Sequence, residues 1–137
     1  MKKSAGFTLI EVLIAMAIVA MLGALIAPNL FSSFEKAKCD AAVSQINSLG
    51  AALDQYRIDV GKYPRSLDGL LKNESNNSRW NGPYMNKPKK GIPKDPWEND
   101  YIYKYPGSNG EYDLSSLGKD EREGGEKCPD ADINSWE

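Results

Sequence analysis

Three groups of residues in this 137-residue chain have the types and spacing to carry chemistry. The first is Glu11, the one charge between Lys3 and Glu35. A carboxylate at the head of a membrane-length apolar run costs roughly 2.5 to 3.5 kcal/mol to bury on insertion scales, so it calls for a cation to face. The second is the pair Cys39 and Cys128, the two cysteines of the chain. They either form a bridge or stand apart as a buried Cys39 and an unrelated Cys128. The third is Asp120, Asp130 and Asp132 in the acidic tail. These offer oxygen ligands to calcium, which takes six to eight. Their spacing does not fit an EF-hand, so a solvated acidic loop competes with a metal site.

Other chemistry is short of parts. The chain has no histidine, the commonest general base and transition-metal ligand, and no nucleophile motif, which tells against a hydrolase. A net charge of −2 with mixed signs gives no electrostatic case for nucleic acid.

The elements that must position these groups begin with residues 12–27, all apolar or glycine, followed by Pro28. Residues 7–30 are about long enough to cross roughly 30 Å of hydrocarbon as a helix. Residues 1–6 are too short for a secretory signal with its own apolar core. Lys2, Lys3 and the start amine precede the run, while Glu35 and Asp40 offset Lys36 and Lys38 after it, so the leader stays cytoplasmic and the rest lies outside. There the cysteines can oxidise. A bridge closing about 90 residues is worth roughly 4 to 5 kcal/mol in the chain-entropy model.

After Pro28, Cys39, Ala42, Ile46, Leu49, Leu53, Tyr56 and Val60 recur three and four apart and draw one stripe down a helix. Asp40, Ser44, Asn47, Asp54 and Arg57 take the opposite face. Pro28 predicts a kink or a local loss of helix near residues 24–28. Gly61 and Pro64 end the pattern, giving a helix of about 54 residues. Residues 66–72 read as a short helix capped by Ser66. Residues 101–105 and 111–115 read as a hairpin with a five-residue turn, covering the stripe. Trp80, Trp97, Tyr101 and Tyr103 read as packing rather than a ligand cage. The tail after Gly118 has no apolar anchor before residue 130 and stays open unless calcium or a disulfide ties it.

Gly6-Phe7-Thr8-Leu9-Ile10-Glu11, with Pro28 later, resembles the class III leader junction of type IV pilins and type II secretion pseudopilins. The resemblance implies cleavage after Gly6 by a prepilin peptidase and methylation of the new terminus at Phe7. Glu11 would then face a neighbour's Phe7 ammonium during assembly. Pro93-Lys94-Asp95-Pro96-Trp97-Glu98-Asn99-Asp100 is similar to a Pro-x-Asp-Pro-Trp-Gly-x-Asp block of major pseudopilins, with Glu98 in place of the glycine. Ser116-Leu117-Gly118-Lys119-Asp120 and the later aspartates are similar to that family's calcium-binding end. Carried over, the ligands are Leu117, Asp120, Arg122 through its backbone, Asp130 and Asp132. Ala131 splits the family's adjacent acidic pair, and Asn134-Ser135-Trp136 stands for Gly-Asn-Trp.

The implied fold is α+β and type IV pilin-like: a long N-terminal helix on a small antiparallel sheet, with an acidic C-terminal loop. The implied organisation is a leader (1–6), a transmembrane and assembly segment (7–30) and a periplasmic domain (31–137). The implied role is a non-enzymatic subunit of the type II secretion pseudopilus. It would form a homopolymeric helical filament with minor pseudopilins, drawn from the inner membrane by an assembly platform, and would drive export of folded proteins. The alternatives are a type IV or competence pilin of a surface filament, and an anchored calcium-binding protein that never polymerises.

Overall fold

The computed structural model describes residues 6–86 and 90–137; the leader expected at 1–6 lies outside them except for Gly6. One helix, α1, runs Leu9–Val60. A 3-10 turn at Leu67–Leu70 and three strands follow, β1 (Ile102–Lys104), β2 (Asp113–Ser116) and β3 (Ile133–Asn134). The chain divides into two units, residues 1–34 and 35–137. Pro28 sits inside α1 without interrupting it, so the expected local loss of helix does not occur. The ring removes one amide donor, and the bonds on either side keep the helix continuous.

In the first unit the helix is bare. Its large apolar side chains are all exposed, from Leu9 at 79% through Val19 at 70% to Phe31 at 70%.

In the second unit the stripe read from the sequence is the core. Ala42, Ile46, Leu49, Leu53, Tyr56 and Val60 are buried, with Ala52 joining them, while Asp40, Ser44, Asn47, Asp54 and Arg57 face solvent. Burying a leucine fully contributes about 1.5 to 3 kcal/mol, so this row is the main local source of stability. Tyr63, Leu67, Leu70, Tyr101 and Leu114 complete the cluster, and Trp80, Tyr84, Tyr103, Tyr112 and Ile133 pack on its margin.

The connection from α1 to the sheet has little regular structure and is pinned by side chains instead. Trp80 Nε1 donates to the Gly69 carbonyl at 3.0 Å, Tyr84 Oη donates to Asp59 at 3.0 Å, and Tyr103 Oη donates to the Pro64 carbonyl at 2.8 Å. Tyr101 Oη donates to Gln45. The expected α-helix at 66–72 is only the four-residue 3-10 turn, and Ser66 makes no cap bond because its hydroxyl donates to Glu74 instead.

The three strands form an antiparallel sheet in the order β1-β2-β3. Ile102 pairs Ser115, Tyr103 pairs Leu114 and Lys104 pairs Asp113, one residue tighter at each end of β1 than the alternation suggested. The hairpin connection is longer than five residues. Asp113 closes it by accepting from the amides of Ser108 (2.8 Å) and Asn109 (3.0 Å). Strand β3 was not expected. Ser116 pairs Ile133 and Ser115 pairs Asn134, so the polar tail returns to the sheet.

The Asp95 block is a tight turn. Asp95 is 4% exposed, and Oδ1 accepts from the amides of Trp97 (3.0 Å) and Asn99 (2.9 Å) while Oδ2 accepts from Ser116 Oγ (2.6 Å). Glu98 closes the turn at φ +72°, the left-handed geometry that glycine adopts freely. An L-residue there costs about 1 to 2 kcal/mol. Glu98→Gly should therefore raise stability by about 0.5 to 1 kcal/mol after the entropy of glycine is counted, read as a higher melting temperature. A fall would mean that the Glu98 side chain makes a compensating contact.

Candidate functional site

Two regions carry the candidate residues, one in each unit. At the head of α1, Thr8 and Glu11 form a reciprocal cap. Glu11 Oε2 accepts from the Thr8 amide at 2.7 Å and from its hydroxyl at 2.9 Å, and the Glu11 amide donates to Thr8 Oγ1 at 3.3 Å. Ser or Thr followed three residues later by Glu is the capping-box signature, and it satisfies amides that the helix leaves free. The charge of Glu11 calls for a cation in an apolar run; within one chain Thr8 supplies donors instead. The signal was local and visible as Thr8-Leu9-Ile10-Glu11. Phe7 lies just before the helix and is 87% exposed. The following segment holds an 18-residue window of mean hydropathy 2.7, long and apolar enough to cross a membrane.

In the second unit the acidic tail is folded. Lys119 N donates to Pro129 O (2.9 Å), Asp130 N and Ala131 N donate to Lys127 O (3.0 Å each), and Asp132 N donates to Gly124 O (3.0 Å). Gly118 at φ +69° opens the turn, and a Cβ there would lie 2.5 Å from the Pro129 carbonyl oxygen. Cys39 and Cys128 are joined in a disulfide across 89 residues of sequence, and this bridge ties the tail to α1.

A second tie converges on Glu35, in the sequence only a flanking charge. Its carboxylate accepts from Lys119 Nζ at 2.9 Å and from Trp97 Nε1 at 3.2 Å. Three segments far apart in sequence thus meet on one side chain, which no local pattern announces.

Asp120 is exposed, and its Oδ1 accepts from Arg122 N at 3.1 Å. Asp132 Oδ2 accepts from Gly124 N at 2.9 Å, whereas Oδ1 is buried with no hydrogen-bond partner. Among the described residues no three carboxylates, cysteines or histidines converge into a metal cluster. Any cation here would therefore draw on carbonyl oxygens as well as carboxylates. An unpaired buried carboxylate oxygen is costly, and it suits such a donor set.

At the far end of α1, Tyr63 Oη accepts from Arg57 (3.1 Å) and donates to Asp54 (2.9 Å), with Arg57 paired to Glu111. Burial pushes the Tyr63 phenol up to about 12. This group is structural and joins the helix end to the hairpin.

A long N-terminal helix, bare and apolar over its first half and packed over its second against anchored loops and a small sheet, defines a type IV pilin-like subunit. The family described as prokaryotic N-terminal methylation motif matches residues 1–27, and that described as type II secretion system (T2SS), protein G, matches residues 29–136. Type II secretion system core protein G of Pseudomonas aeruginosa is 39% identical over 143 residues, covering 99% of this chain and 97% of the relative. Its counterpart from Vibrio cholerae is 41% identical over 142 residues, covering 99% and 94%. Among solved structures, the major pseudopilin from the type 2 secretion system of enterohaemorrhagic Escherichia coli aligns with TM-score 0.60 and 32% identity, covering 80% of this chain and 95% of that one. The chain belongs to the type II secretion system protein G family, a family of structural pseudopilus subunits, and the surface-pilin alternative falls away.

Glu35 yields a pH dependence. The bonds from Lys119 and then Trp97 favour the charged carboxylate and hold its pKa below the ordinary value near 4.5. The stabilisation is complete above about that pH and disappears as pH falls through the lowered folded value. Glu35→Gln should lose less melting temperature than the parent between pH 7 and pH 3. Equal acid sensitivity in the two proteins would remove Glu35 from the account.

Proposed function

We propose that the subunit is cut after Gly6 by a prepilin peptidase, methylated at Phe7, and polymerised through α1 into a helical pseudopilus whose growth drives export of folded proteins. The observation that carries this reading is the bare first half of the helix. A membrane-length segment with no covered apolar side chain must lie in lipid before assembly and against other copies after it. The inner membrane then holds the free subunit, the folded domain occupies the periplasm, and minor pseudopilins and an inner-membrane assembly platform are the expected partners. Glu11 has two satisfied states available, its own Thr8 cap and a neighbour's Phe7 ammonium, and the second removes a buried charge from lipid.

Mass spectrometry of the native protein should find a terminus at Phe7 carrying one added methyl. Glu11→Ala should insert normally and yield no filaments; wild-type filament length from that variant would sink the assembly role.

The acidic tail is read as a calcium site. Leu117 and Arg122 would give carbonyls, and Asp120, Asp130 and Asp132 carboxylates, with the unpaired Asp132 Oδ1 as support. The ion would cancel the repulsion between these carboxylates and fix the tail beside β3. A cation bound only to the folded form adds about 2.7 kcal/mol at a hundred times its Kd. The melting temperature should rise with calcium, fall with chelator and respond weakly to magnesium, whose octahedral shell is tighter. Asp132→Ala should lose the calcium response. A melting curve indifferent to calcium in both reduced and oxidised protein would exclude the metal.

A further inference from the structure

The disulfide raises a question of order. Cys39 lies near the start of the folded domain and Cys128 in its tail, 89 positions later, so the bond closes only after the tail has come back to α1. The two sulfurs are not equivalent. Cys128 sits on an exposed stretch of the tail, while Cys39 is half-buried on α1.

We propose that this chain is a client of an extracytoplasmic dithiol oxidase, that the oxidase engages it at Cys128, and that oxidation precedes entry into the filament. The inference rests on the pseudopilus reading above.

The steps balance as ordinary exchange. The Cys128 thiolate attacks one sulfur of the oxidant's disulfide, forming a mixed disulfide and expelling the oxidant's other sulfur as a thiolate. The Cys39 thiolate then attacks Cys128 Sγ and releases the oxidant as a dithiol. The subunit loses two protons and two electrons, and the oxidant's disulfide gains them.

The structure gives the reason for the order. Without the bridge the tail is held to α1 by the exposed Lys119 pair on Glu35, and surface pairs of this kind contribute little. Its other bonds are internal turns, the two-residue strand β3 and the bonds Ser135 exchanges with Leu114 on β2, and none of these reaches α1. The tail covers one edge of β2, the strand that carries the fully buried Leu114 and Ser116, so a loose tail exposes the centre of the sheet.

The test uses the full-length protein in its native host, with and without the host's dithiol oxidase, and a maleimide of known mass to count free thiols in membrane and filament fractions. Subunits blocked from assembly by Glu11→Ala should carry no maleimide, since they are already oxidised. Cells lacking the oxidase should accumulate doubly labelled subunits in the membrane, with filament yield down at least tenfold. Cys39→Ser should trap a reductant-sensitive adduct with the oxidase several-fold more than Cys128→Ser does, because the resolving sulfur is gone. The double variant Cys39→Ala with Cys128→Ala should also assemble poorly, showing that the bridge itself is required and not merely the absence of a stray thiol. Doubly labelled subunits in filaments at wild-type abundance would overturn the proposal, and equal trapping by the two single variants would overturn the entry at Cys128. In either case a methylated Phe7 and normal wild-type filaments would leave the pseudopilus reading standing. Absence of filaments in the wild type would sink that reading instead.

Discussion

Burial of a single stripe on α1 governs the folded domain. The row from Ala42 to Val60 is continuous, apolar and three to four residues apart, and a helix cannot leave such a row in water. Nearly every feature after Val60 serves to cover it. The 3-10 turn brings Leu67 and Leu70 onto it, the aromatic hydroxyls pin the irregular connection over it, and β2 delivers Leu114. Regular secondary structure is sparse because the cover is a set of anchored loops, each fixed by one or two specific bonds. The first unit obeys the opposite rule: its apolar surface is left uncovered within the chain.

Legibility followed range. What depended on residues three or four apart was readable: the helix, its buried face, the membrane-length segment and the hairpin. The capping box at Thr8 and Glu11 is equally local, yet the cost of burying a charge points first to a cation and hides the carboxylate's use as an acceptor for amides. What depended on distant residues was not readable. Glu35 gains its role from Trp97 and Lys119, 62 and 84 positions away. Strand β3 consists of Ile133 and Asn134, too short for any alternation to show. The disulfide stood in between. Both cysteines were visible and their compartment could be argued, while their pairing had to come from the fold.

The Asp95 turn shows how a motif can keep its geometry after losing its residue. Glycine would enter the left-handed region freely, yet Glu98 occupies it at φ +72°. The Asp95 carboxylate fixes the amides of Trp97 and Asn99, on either side of Glu98, and its second oxygen is held by Ser116 from the sheet. The turn is over-determined by its surroundings, which is the condition under which strained backbone persists.

The brevity of the outer strands bears on what crowded copies can do to one another. β1 has three residues and β3 two, and these are the edges of the sheet. An exposed edge is a template for pairing with another chain, and its hazard grows with length and flatness. Proteins that gather side by side at high local density meet that hazard continuously. Here each free edge offers too few amide and carbonyl groups to seed an extended ladder, and Lys104 adds a charge to the longer one. Edges this short give another chain no extended ladder to pair with.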